Sequence, residues 1–382
     1  MVVITALAFD FTNGFHDTAN AMATTVATKA LPPRVAVLVS AVLNAVGAFL
    51  SLAVATTIVK GIVDSHVITV ETVLAGLVGA IIWNLVTWYL GLPSSSSHAL
   101  ISGLAGAAIV SAGWHAVEYG SVLSKVLLPA LISPAVAFLA AASSTFLAYK
   151  ITRRGTEQVN AGVFRIGQVV AGSLISLAHG TNDAQKTMGV ITLALITAGY
   201  LGRNAGVPIW VILSCAICIG LGTYFGAWRV IRTLGKGLTE LQSTQGFAAA
   251  WCSSVVILIS SHFGFPLSTT HVCSGGVIGA GAGRKVGGVR WRLAGTMVAG
   301  WLVTLPASAC LAGGAAFAMH AIGGLAGAGV VVLVLLAIAL GIFLASQRTK
   351  TTAGNVNDEV PAGQFLALQR AQPADAIREE VA

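Results

Sequence analysis

Three ionisable side chains, Asp17, Asp183 and Lys186, stand in stretches that are otherwise apolar, with Asn13, His16, Asn20, His179 and Asn182 beside them. An ionised group in an apolar medium is costly unless it is paired or hydrated, so these groups are expected to face a shared cavity. Carboxylates and amides in such a cavity can take a cation or a proton, and an ammonium can balance their charge. Asp17, Asn20, Asp183, Lys186, Asn13 and Asn182 are therefore the candidates for cation or proton coupling. An Asp–Lys pair that only locks two helices together is the plainer reading, but a lock does not require an Asp at a repeated position. Asp10 has no repeated acid, its counterpart being Ser176, and is read as structural or interfacial.

A second kind of chemistry lies in two hydroxyl runs. Ser94 to Ser97 and Ser268 to Thr270 each follow a proline, Pro93 or Pro266, and precede an apolar, Gly-rich stretch with the look of a helix start. A helix N-terminus presents unpaired N–H groups and the positive end of the helix dipole, which together favour an oxyanion. Ser95, Ser96, Ser97, Ser268, Thr269 and Thr270 are the candidates for binding it, with His98 and His271 directly behind them in support. Hydroxyls at such positions also cap their own helices, and a lone membrane histidine is more often a packing residue than a proton carrier.

These residues belong to an internal repeat. Asn13-Gly14-Phe15-His16-Asp17-Thr18-Ala19-Asn20-Ala21-Met22 aligns with the segment from His179 to Met188, sharing Gly, Asp and Met. Gly91 to His98 aligns with Gly264 to His271, and the Gly-x-x-Gly-Ala after each repeats as well. The offsets are 166 from Asp17 to Asp183 and 173 from His98 to His271, so one duplication with small insertions accounts for both.

The elements that must hold these groups are membrane helices. Of 382 residues 56% are hydrophobic and 9% charged, and the mean hydropathy is +0.86, against about 25% charged in an ordinary soluble domain. A soluble enzyme is excluded on that ground. Apolar stretches near or above the ~20 residues that span a bilayer run over 35–59, 70–90, 126–149, 208–228, 293–319 and 324–345. Shorter ones cover 2–11, 100–110, 166–178 and 273–283; the path set by the basic clusters is about eleven crossings, a number that any re-entrant hairpin would change. The net charge of +8 lies in clusters: Lys29 and Arg34; Lys150, Arg153, Arg154 and Arg165; Arg229, Arg232 and Lys236; Arg284 to Arg292; Arg348 and Lys350. Placing all of them in the cytoplasm, after the positive-inside bias, leaves the N-terminus outside and the C-terminus inside. Equivalent loops of the two copies then fall on opposite faces, which is an inverted-topology repeat with its substrate site near the midplane. The expected fold is an all-α polytopic membrane protein, with broken helices or re-entrant segments at the midplane of two homologous halves. Its parts are repeat 1 (1–150), a basic cytoplasmic linker (151–165), repeat 2 (166–319), a final span (320–346) and a disordered cytoplasmic tail (347–382).

No cofactor and no nucleic-acid partner is expected; the partners are the lipid bilayer and the transported anion, and a homo-oligomer stays open. The five cysteines all fall in apolar spans and carry no expected chemistry. No cleavable leader is evident, because a polar cluster follows within about ten residues. Eight residues precede Phe9, which implies a half-helix or a displaced start codon.

With these motifs the chain resembles the inorganic phosphate transporter (PiT) family, and within it the low-affinity bacterial branch. The resemblance rests on Gly14-Phe15-His16-Asp17-Thr18-Ala19-Asn20 with His179-Gly180-Thr181-Asn182-Asp183, and on Pro93 to His98 with Pro266 to His271; it covers about residues 9–312. It implies phosphate uptake driven by a cation gradient through alternating access, without enzymatic activity. Where the second motif of the sodium-coupled branch carries Asn, this chain has Lys186, and the family glutamates expected at positions 44 and 250 are Asn44 and Ala250. An ammonium fixed three residues after Asp183 takes the charge that a sodium ion would supply. Proton coupling is therefore expected over sodium coupling, with a divalent-metal phosphate as the implied substrate. The alternatives are sodium-coupled phosphate transport, transport of another oxyanion such as sulfate, and a passive channel. An intramembrane serine hydrolase is disfavoured because no Gly-x-Ser-x-Gly is present.

Overall fold

The computed structural model describes residues 1–357 apart from 65–66, 153–156, 203, 227, 286–287 and 349–350, and omits the side chains of 157–161 and 236. Arg153, Arg154, the Lys236 side chain, Lys350 and the tail beyond 357 thus lie outside the described residues. What is described is helical, with two isolated β-bridges and no named strand.

The helices come in two runs of the same order. The first is α1 (Val2–Ala27), α2 (Pro33–Gly47), α3 (Ala53–Gly61), α4 (Val70–Leu90), α5 (Ser96–Ala112), and α6 (Tyr119–Val122), which continues through a π-helical turn into α7 (Leu128–Thr152). The second is α8 (Glu157–Thr197), α9 (Ile209–Phe225), α10 (Trp228–Arg232), α11 (Ser243–His262), α12 (Thr269–Arg284) and α13 (Trp291–Ile322), after which α14 (Gly324–Gln347) closes the chain.

Small features repeat with the helices. The bridge Val63 to Val117 in the first run has its twin in Thr239 to Val289, and α7 and α13 each hold an internal proline, Pro134 and Pro306. Gly91 and Gly264 terminate α4 and α11 at φ +68° and +74°, a left-handed conformation that costs glycine little. Each turn is then stopped by its proline, two residues on.

The two runs are interlocked. α1 packs on α9 and α8 on α2; α5 packs on α13 and α7 on α12. The close approach needs glycine: a Cβ on Gly14 would overlap the Ile219 carbonyl, and one on its twin Gly180 would overlap that of Asn44. Two clusters of buried apolar side chains result, one containing Phe9, Leu77, Leu100, Leu104 and Met188, the other Met22, Ile175, Val272 and Val277. α1 runs from the first cluster to the second and α8 from the second to the first. Equivalent helices therefore cross the molecule antiparallel, consistent with an inverted repeat.

Several expected boundaries shift. The stretch 35–59 is two helices, α2 and α3, and the short pieces 2–11 and 166–178 are parts of long continuous helices of 26 and 41 residues. The Asp motifs lie inside those unbroken helices, whereas the hydroxyl runs open new ones, α5 and α12. Among the described residues six helices are by length and composition long and apolar enough to cross a membrane, or seven if α9 and α10 count as one bent span. α2, α5 and α12 have 15, 17 and 16 residues, shorter than the ~20 of a full crossing, while α1, with 26 residues, carries Asn13, His16, Asp17 and Asn20 in its middle. Within the segment expected to form the tail, a turn over residues 353–357 places Val356 against the second cluster. The outer faces of α7, α13 and α14 expose Leu131, Leu302, Leu333 and Leu336, as lipid-facing helices do.

Candidate functional site

The two hydroxyl runs open α5 and α12, and both helix starts converge on the middles of α1 and α8. Proline keeps each run extended, so that Ser95 and Ser268 become N-caps, accepting hydrogen bonds from the N–H groups of His98 (3.1 Å) and His271 (3.2 Å). For these two hydroxyls the capping reading is what the geometry shows. The residues that follow reach the acids instead.

Ser96 Oγ donates to Asp17 Oδ2 (2.5 Å) and lies 2.7 Å from Asn13 Oδ1. Its twin Thr269 donates to Asp183 Oδ2 at 3.1 Å. Each half thus brings its own helix start to its own aspartate. The next position crosses between the halves. Thr270 Oγ1 is 3.3 Å from Asp17 Oδ1 and accepts from Asn20 Nδ2 (2.8 Å), while its twin Ser97 accepts from Lys186 Nζ at 2.5 Å. Lys186 also pairs with Asp183 and donates to the Leu267 carbonyl (2.7 Å), so all three donor directions of the ammonium are filled. Asn182 donates to Ser261 Oγ at 2.8 Å. Every one of these side chains is buried, with Asn20 the most exposed at 6%.

His98 and His271 do not join this network. Their rings sit 4.7 Å apart, centroid to centroid, and His271 stacks on Trp301. Among the described residues, no hydrogen bond links either imidazole to Asp17, Asp183 or Lys186.

Two other histidines do join it, and sequence reasoning placed them beside the site without giving them a part. His16 Nδ1 is 2.7 Å from Asp17 Oδ1, and its Nε2 reaches Thr87 (3.3 Å). His179 Nε2 lies 2.9 Å from Asp183 Oδ2, within ion-pair distance but out of line for a hydrogen bond, and its Nδ1 meets Asn44 Oδ1 at 3.1 Å. Asn44, which stands where a family glutamate was expected, thereby holds a histidine of the site and also donates to Thr223. The i, i+4 spacing of His179 and Asp183 was the available signal.

One oxygen each from Asp17 and Asp183 and one nitrogen of His179 lie within 4.8 Å of one another. Two carboxylates and an imidazole suit a divalent cation. Asn20 Oδ1 and Asn182 Oδ1 are buried beside them with no hydrogen-bond partner among the described residues, as fits oxygens available to a cation.

A bundle of membrane helices built from two interlocked copies, whose helix starts and acids meet in an enclosed polar centre, defines a multi-pass membrane transporter rather than an enzyme. Residues 13–312 match the phosphate transporter family. The probable low-affinity inorganic phosphate transporter of Mycobacterium tuberculosis is 54% identical over 375 residues, covering 98% of this chain and 90% of that protein. The protein of the same description from Bacillus subtilis is 44% identical over 328 residues, 84% of this chain and 97% of its own. This chain belongs to the phosphate transporter family. Its fold is also that of a solved structure titled "The sodium-dependent phosphate transporter", at TM-score 0.75 and 24% identity, covering 84% of this chain and 98% of that one.

Proposed function

We propose that the protein imports inorganic phosphate across the cell membrane as a complex with a divalent cation, driven by protons, by alternating access. The observation that carries this reading is the convergence of Ser96, Ser97, Thr269 and Thr270 from both halves on Asp17, Asp183 and Lys186. Helix starts and hydroxyls favour an oxyanion, yet two carboxylates against one ammonium leave the centre with a surplus of negative charge. A bare phosphate would be repelled; a metal phosphate brings its own cation. Asp17, His179 and Asp183 would take the metal, and the N-termini of α5 and α12 the phosphate, with Ser95 and Ser268 contributing as caps and His98 and His271 as packing behind them.

Proton coupling is supported by Lys186, whose ammonium already occupies the side of Asp183 that faces Ser97 and Leu267, where an added sodium ion would compete with it. Alternating access is supported by the enclosed centre between two antiparallel copies, each of which can open towards its own side. The basic loops and the tail face the cytoplasm in this reading.

Purified protein in liposomes is the test. With sodium absent, magnesium present and the outside acidified, phosphate is expected to accumulate, with sulfate a poor competitor. Accumulation only when sodium is added would overturn the proton reading, and sulfate competing as well as phosphate would overturn the substrate.

A further inference from the structure

One buried carboxyl lies outside the duplicated site. Asp10 sits on α1 two turns before Asp17 and is fully buried, at 0% exposure. Its Oδ1 accepts a hydrogen bond from Thr187 Oγ1 (2.8 Å), and Thr187 is the residue after Lys186 on α8. Its Oδ2 has no partner among the described residues. The repeat does not call for it, since the matching position holds Ser176, whose hydroxyl bonds its own helix at Gly172.

We propose that Asp10 is the proton-carrying carboxyl of transport. A carboxylate enclosed with one oxygen unpartnered is poorly solvated, whereas a carboxylic acid, with its proton on Oδ2 and Oδ1 accepting from Thr187, leaves no charge in the enclosure. Among the described residues the ionisable groups that interact electrostatically with it are Asp183 from α8 and Cys215 and Cys218 from α9, none of them a cation. α4 brings Glu71 only in its first turn and Tyr89 only in its last. Asp10 takes its proton from water on one side of the membrane when α1 and α8 part there. It carries the proton through the enclosed state and gives it up to water on the other side, with no other bond made or broken. Because Thr187 adjoins Lys186, a shift of α8 that rearranges the substrate site also alters the Asp10 contact.

This inference rests on the proton reading of the proposed function, and the experiment separates the two. Full-length wild type and the Asp10→Asn variant are placed in sodium-free liposomes, and two rates are measured: accumulation driven by an acid exterior, and exchange of labelled for unlabelled phosphate at equal pH. Exchange needs no net proton movement, so Asp10→Asn is expected to lose accumulation about tenfold or more while keeping exchange within about twofold of wild type. Asp10→Glu is expected to recover part of the accumulation. A parallel fall of both rates, or accumulation equal to wild type, would overturn the assignment. Wild type failing to accumulate without sodium would overturn the proton reading and this inference with it. Should Asp10→Asn not fold, Asp10→Ser, the residue of the repeat counterpart, undergoes the same two measurements with the same outcomes.

Discussion

Lys186 is buried at 1% exposure with its three donor directions filled by Asp183, Ser97 and the Leu267 carbonyl. Removing one member of a buried ion pair leaves the other uncompensated, which costs about 3–5 kcal/mol. Lys186→Met is accordingly expected to lower the thermal unfolding midpoint in detergent and to abolish uptake; a variant as stable as wild type would show that Asp183 is solvated in the folded protein. The hydroxyls allow a finer separation. Ser95 and Ser96 are neighbours, but Ser95 caps α5 whereas Ser96 donates to Asp17. Ser95→Ala should cost about 1 kcal/mol of stability through the lost cap, and Ser96→Ala should reduce phosphate uptake more strongly. Phosphate uptake measured side by side, at matched protein levels in the membrane, checks the order.

At the scale of elements, the site is held by close helix contacts more than by loops. Gly180 lets α8 lie against α2 at the level of Asn44, the residue that holds His179. Gly180→Ala forces the two helices apart and is expected to destabilise the protein by about 1–3 kcal/mol. Gly341→Ala on α14, where an added Cβ meets nothing within 4 Å, should be neutral. Comparison of unfolding midpoints distinguishes a packing role at Gly180 from a general effect of losing glycine. Much of this scale was legible in the chain. The 21-residue apolar run ending before Gly91 is α4 to the residue, and the proline-hydroxyl runs are helix starts. The reading failed where polar residues interrupted a helix without breaking it. α1 and α8 continue through Asp17 and Asp183 because their polar side chains find partners on other helices, and hydropathy cannot register a partner distant in sequence.

At the scale of the molecule, each half covers the other: α1 lies on α9, α2 on α8, α5 on α13 and α7 on α12. Neither half can complete the site, since Ser97 serves Lys186 and Thr270 serves Asp17 across the divide. Cutting the chain within 153–156, between α7 and α8, should therefore leave two fragments that copurify from the membrane and retain uptake when expressed together. Expressed singly, each fragment should be degraded. Fragments that are each stable alone would mean that the interlocking contributes little to the fold.

The residue types, their duplication and the apolar lengths were determined by the sequence itself, because lipid admits few charges and a repeat leaves the same letters at the same spacing. Those facts sufficed for a polytopic membrane protein with paired acids and paired helix starts. Only the tertiary structure decided which partner each group took. Helical periodicity says which side chains share a face, but not how far one helix is shifted along another that follows a hundred residues later. That register comes from glycine contacts such as Gly14 on Ile219 and Gly180 on Asn44. It places Ser97 on Lys186, sets His179 beside Asp183, turns His98 and His271 towards each other, and leaves Asp10 enclosed against Thr187.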